Sequence, residues 1–331
     1  MNLLNLRVTM KSKFLRLICA VMALLLTGCG ADKNTAKKES KDTTVAVECM
    51  TGYTYTYGDK EIVYGITYKA DGIHMTPGSD HYAYVYNWDG NLLLEQLLDE
   101  NGEEVSKTEF SYDGDGNLTD KLYTSHTNGI TTRKTYDYNK VGSITDSCYY
   151  NESGKIETAY VYTYDEQGYL TECLVTDAEG APLWKYLYIC DEAGTVISGQ
   201  RYAMSESLGQ TGLQSDLAYI YDDAGRLLAL EWRPVFDNNK LRESKYYTYD
   251  DQGRVIQSQT VHQETRVVED KTYTYDDQGR LIRVIDAEGA TRTFTYGMID
   301  VSSKLVKDAQ RWSSTGVIKA YTPTVTPVIL G

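Results

Sequence analysis

The chain has 331 residues, a net charge of −14, and 30 tyrosines against 4 phenylalanines and 4 histidines. Such acidity excludes nucleic acid and anionic membrane surfaces as main partners, because both are gripped by clustered Lys and Arg. There is no His-Glu-x-x-His and no Gly-x-Ser-x-Gly, so the commonest hydrolase signatures are missing as well.

Residues 1–28 read as a targeting segment: Arg7, Lys11, Lys13 and Arg16 precede the apolar run Leu17 to Leu26. That run is too short for a spanning helix, which needs about 20 residues. Leu26-Thr27-Gly28-Cys29 resembles the bacterial lipoprotein signal, which implies acylation of Cys29, export, and a membrane partner through the lipid. The anchor then lies on the outer face of the cell membrane, or in the outer membrane if the cell has one. Residues 29–50 are rich in Lys, Asp, Ser and Thr and read as a flexible tether. Residues 51–83 carry alternating tyrosines at 53, 55 and 57 and are expected to form N-terminal cap strands.

From residue 84 to 296 one nine-residue frame recurs eight times, seen most plainly at Tyr273-Thr274-Tyr275-Asp276-Asp277-Gln278-Gly279-Arg280-Leu281. Its glycines, from Gly90 to Gly279, are spaced 26, 26, 26, 26, 31, 28 and 26 residues apart, which is the mark of a repeat architecture. Asp or Asn three before each glycine spells a type I turn, and the glycine supplies the left-handed residue of a bulged hairpin loop. In that register the residue four before the glycine faces the residue two after it, giving Tyr/Leu-type cross-strand pairs. A second turn falls mid-unit at Asp99–Gly102, Asn151–Gly154, Asp177–Gly180 and Asp286–Gly289, so each unit is two strands. The fold class is all-β: tandem antiparallel hairpins of about 26 residues forming one large curved sheet or open shell. Extra residues within 205–212 and 234–240 are expected to form loops.

The Tyr-x-Tyr-Asp-x-x-Gly-Arg-Leu frame resembles the YD repeat of the Rhs family, over roughly residues 84–296. The family's large members build β-shells that enclose a toxin. The resemblance therefore implies a hairpin-repeat β-structure here, and offers a role as a structural or immunity-type relative of such a toxin system.

Residues 297–331 leave the period and are expected to form a C-terminal cap, with a short helix within 301–311. Cys49, Cys148, Cys173 and Cys190 form no Cys-x-x-Cys pair, so neither a metal site nor a cofactor is expected; a disulfide among them stays open. The candidate ligand-binding aromatics are Tyr162, Tyr164, Tyr219, Tyr221, Tyr247, Tyr249, Tyr273 and Tyr275, because sugar faces stack on aromatic rings. The functional expectation is a non-catalytic binding or adhesion module for a cell-wall or environmental glycan or a surface protein. A glycan-acting hydrolase using paired carboxylates is the third reading.

Overall fold

A computed structural model describes residues 43–325, apart from 77, 79, 210, 238, 239 and 264. The targeting segment, Cys29 and most of the tether therefore lie outside the described residues. Three strands precede the repeats: β1 (Thr44–Tyr57), β2 (Lys60–Lys69) and β3 (Gly72–Met75). The repeats supply β4 (Tyr82–Tyr86), β5 (Leu92–Leu98), β6 (Glu104–Tyr112), β7 (Leu118–Ser125), β8 (Thr131–Tyr138) and β9 (Ile144–Tyr150). They continue as β10 (Ile156–Tyr164), β11 (Leu170–Thr176), β12 (Pro182–Cys190), β13 (Val196–Ala203), β14 (Gly212–Tyr221) and β15 (Leu227–Pro234). The last five are β16 (Glu243–Tyr249), β17 (Val255–His262), β18 (Arg266–Tyr275), β19 (Leu281–Asp286) and β20 (Thr291–Ser302).

Every strand pairs antiparallel with its neighbours in sequence, and β1 pairs with β20 from Thr44↔Ser302 to Thr56↔Thr291. The expected open shell is thus a closed ring of 20 strands. Closure has a physical motive, since it removes the two unpaired edges that an open sheet would present to other chains. All eight frame turns fall at one end of the ring, here the frame end, and the mid-unit turns fall at the other, the far end.

The turn chemistry is as written in the sequence. Gly279 (φ 79°) donates its N–H to Asp276 O at 2.9 Å, while Asp276 Oδ1 accepts the N–H groups of Gln278 and Arg280 at 3.0 and 2.9 Å. The register follows, with Tyr86↔Leu92, Tyr112↔Leu118, Tyr164↔Leu170, Tyr221↔Leu227 and Tyr275↔Leu281 all paired, and a bulge beside each pair. The mid-unit turns close the same way, as Gly180 N–H on Asp177 O at 3.1 Å shows. The longer loops hold short 3-10 turns at Glu206–Leu208 and Val235–Asp237, both at the far end.

Three expected boundaries shift. The tether assigned to 29–50 gives way to strand at Thr44, because Val47, Cys49 and Met50 are apolar residues buried against the last strand and the C-terminal helix. Residues 51–83 do not cap a sheet edge; with β20 they form the seam that closes it. Residues 297–302 extend β20, so the expected 301–311 helix starts later, as α1 (Val306–Arg311). It runs on through a wider π-type turn at Trp312–Gly316 into α2 (Val317–Tyr321).

This helical segment enters the ring from the frame end rather than lying over it. Trp312 and Val317 are fully buried among Met50, Tyr53, Ile73, Leu281 and Phe294. The bulge at Met50/Gly52 disturbs the ladder, and the Met50 N–H is taken by Ser313 Oγ at 2.8 Å. At Gly90 the plug comes so near that an added Cβ would lie 2.4 Å from Gly316 O. A second core, built on Ile144, Leu170, Cys173, Leu217, Tyr219 and Leu227, fills the opposite part of the lumen. None of the four described cysteines forms a disulfide.

Candidate ligand-binding lumen

The lumen-facing residues are those that alternate with the solvent-facing strand positions, and tyrosine dominates them. The tyrosine four before six of the eight frame glycines does one repeated job. Tyr112, Tyr138, Tyr164, Tyr221, Tyr249 and Tyr275 donate to Leu92, Leu118, Ile144, Val196, Leu227 and Val255 O, all within 2.7–3.0 Å. Tyr296 does the same to Leu281 O at 2.8 Å. Each accepting carbonyl belongs to the bulge of the preceding unit, where the ladder is interrupted, so the hydroxyl supplies the missing donor. At one rung Cys190 stands in, its Sγ 3.5 Å from Leu170 O. This ladder is why phenylalanine is rare. The frame arginines reinforce it: Arg254 Nε donates to Asp250 Oδ2 at 2.6 Å, and its guanidinium stacks over Tyr275 at 4.3 Å. Arg226 and Arg280 repeat the arrangement on Tyr249 and Tyr296.

The expected aromatic platform is therefore not an exposed one. Tyr162, Tyr219 and Tyr273 are buried, and Tyr164, Tyr221, Tyr249 and Tyr275 are half-buried with their hydroxyls committed to the ladder. The curvature expected of so many strands turns this face inward, where most of the frame tyrosines serve as core. Burial, which disfavours the phenolate, raises the phenol of Tyr275 to about 12, with Arg254 opposing it. Only Tyr247 and Tyr273 of the eight line the more polar of two lumen cavities.

That cavity holds about 530 Å³, within the range of small-ligand sites. Its floor is aromatic, formed by Tyr53, Tyr86, Tyr273 and the plug residue Tyr321. Tyr53 and Tyr64 stack at 4.5 Å, and Tyr321 meets Phe294 edge-on at 4.8 Å. Burial pushes the Tyr86 phenol up to about 12, so these rings present neutral hydroxyls. Toward the far end the lining turns polar, with Lys245, Ser258, Thr260, Glu269, Lys271 and Arg292. Lys245, Glu269 and Lys271 are exposed whereas Tyr53, Tyr86 and Tyr273 are buried, so the charges stand at the mouth. Thr260 Oγ1 donates to Glu269 Oε2 at 3.2 Å and Ser258 Oγ lies 3.1 Å from the Tyr273 hydroxyl.

A second cavity of about 830 Å³ opens at the frame end between the plug and the turn glycines from Gly90 to Gly194. Tyr164 and Tyr221 line it, their hydroxyls already bonded. Farther round the lumen, Arg201 is held between Trp184 and Trp232, 4.2 and 4.4 Å from their ring centres. The tryptophans differ in repeat phase, so no periodic reading pairs them; only the cross-strand register brings them together. The sequence signal for the charged mouth was positional: Lys245, Lys271 and Arg292 each lie two residues before a lumen aromatic (Tyr247, Tyr273, Phe294). Among the described residues no group of three or more His, Cys, Asp or Glu is arranged to hold a metal ion.

The family model of the RHS repeat matches residues 272–298, the last frame together with the Tyr296 rung. That segment is an RHS repeat. Among solved structures, the ring is similar to the TcdB2-TccC3-Cdc42 complex at 14% identity and a TM-score of 0.24, over 77% of this chain. It covers 18% of that chain, less than a fifth of its length. It is also similar to a porin-like protein from Bacteroides uniformis at 12% identity and a TM-score of 0.35, over 77% of this chain and 99% of that one. These likenesses are too loose to carry a functional argument. No curated protein matches the sequence.

Proposed function

We propose that this RHS-repeat protein is a lipid-anchored, non-catalytic binding module at the cell surface that takes a glycan into the far-end cavity. The observation that carries the reading is that cavity's composition: aromatic rings below, and hydroxyl, ammonium and carboxylate groups at the rim. Saccharides need that mixture, because their C–H faces pack on rings and their hydroxyls hydrogen-bond. A role as a fragment of a larger shell is less well supported, since the closed ring has no free strand edge to extend.

The test is sedimentation of the chain from residue 30 onward with purified cell wall, together with a glycan array. Saturable binding that weakens in Tyr247→Ala supports the proposal. Absence of any wall or glycan binding, with a protein captured by crosslinking at the cell surface, refutes it.

A further inference from the structure

The charged residues of this chain are mostly acidic, 47 Asp and Glu against 33 Lys and Arg. Its frame arginines are neutralised at home, since Arg226, Arg254 and Arg280 are ion-paired with Asp222, Asp250 and Asp276 at 2.6–2.7 Å. Lys245, Lys271 and Arg292 differ. They stand on alternate strands (β16, β18 and β20) and all face one cavity. Two strand spacings and a two-residue offset in register set neighbours among them about 12 Å apart. Among the described residues none has a carboxylate in ion-pair contact, and Arg292 rests over the Tyr55 ring at 5.0 Å. Glu269 is the one carboxylate in the lining. Three unpaired cations converging on a tyrosine-floored cavity, in a protein of charge −14, form a local electropositive mouth.

We infer that this mouth selects an anionic saccharide. Lys245, Lys271 and Arg292 receive its carboxylate or phosphate, and the half-buried rings of Tyr84 and Tyr247 receive a sugar face. The inference rests on the glycan-binding reading and narrows it to acidic sugars. An anion there gains charge-assisted hydrogen bonds from both ammonium and guanidinium donors. A neutral sugar of the same shape leaves those donors to water. Arg292 lies deepest, beside Tyr53 and Tyr86, so it governs the part of the ligand that reaches the floor.

The experiment uses the full chain in detergent and compares four probes by calorimetry: trigalacturonate, its methyl ester, mannose 6-phosphate and mannose. The expected result is that the acids bind more tightly than their neutral partners and that binding weakens as salt is raised. Lys271→Ala and Arg292→Gln should each weaken acid binding about 1.5- to 5-fold, the worth of an exposed charge pair. Glu269→Gln should tighten it, a change of sign that loss of folding cannot mimic. Preference for galacturonate assigns the carboxylate, and preference for mannose 6-phosphate assigns the phosphate. Equal binding of acid and neutral probes, lost in Tyr247→Ala, overturns the anionic selectivity and leaves the glycan reading standing. No binding of any probe, and none on the glycan array, overturns both.

Discussion

Two tyrosines on β14 receive the same substitution and should answer with opposite signs. Tyr221 donates its hydroxyl to Val196 O at 2.8 Å, while Tyr219, two residues earlier on the same face, is buried with no hydrogen-bond partner for its hydroxyl among the described residues. Tyr221→Phe removes a donor and strands the carbonyl of a buried residue, Val196, at a cost of about 1–2 kcal/mol. Tyr219→Phe removes an oxygen that already lies buried without a partner. It should be neutral or stabilising by up to about 1 kcal/mol, because an unpaired buried polar group is itself unfavourable. Neither change alters ring packing, so the difference isolates the hydroxyl. Urea unfolding followed by tryptophan fluorescence gives both midpoints, and an unchanged slope licenses the comparison. If both variants lose stability equally, the hydroxyl ladder is not what holds successive units together.

The Cys190→Tyr variant should restore the one irregular rung, bonding Leu170 O and raising stability by about 0.5–1.5 kcal/mol in the same urea assay. Gly90→Ala should destabilise more than Gly142→Ala. Both glycines are left-handed (φ 85° and 80°), but only at Gly90 does the new Cβ meet the plug, adding about 1–3 kcal/mol of overpacking. Alkaline titration at 295 nm should show tyrosines ionising together with unfolding. Burial raises Tyr86 and Tyr112 from the ordinary 10 to about 12, so the folded state keeps protons that the unfolded state releases, and stability falls as pH rises above 10. A smooth titration centred at pH 10 in a still-folded protein would contradict it. In acid the sign reverses. Hydrogen bonding from the Arg226 backbone holds the Asp222 carboxyl below its ordinary 3.8, so stability present above that value is lost as pH falls through the lower one. Asp222→Asn keeps the turn acceptor and should flatten the acid limb of a pH-melting series.

The frame was legible because its chemistry is local. Asp276, Gly279 and the alternation around them fix a turn, a bulge and a register within nine residues, and Tyr275↔Leu281 and its seven counterparts pair as that register requires. The candidate site was half legible. The tyrosines could be assigned to one face, yet whether that face lines a platform or a lumen depends on the curvature summed over many units. The sandwich of Arg201 between Trp184 and Trp232 arises from side chains in different repeat phases, which no period reveals.

The sequence by itself determined the hairpin unit and its pairing, since both depend on contacts within the same unit. Only the tertiary structure decided that the sheet closes, that residues 306–321 fill its interior, and that three cations share one mouth. The physical reason is distance along the chain. Closure joins Thr44 to Ser302, and the plug joins Ser313 to Met50. Such contacts depend on accumulated twist and on non-repeating residues, neither of which leaves a mark in the period.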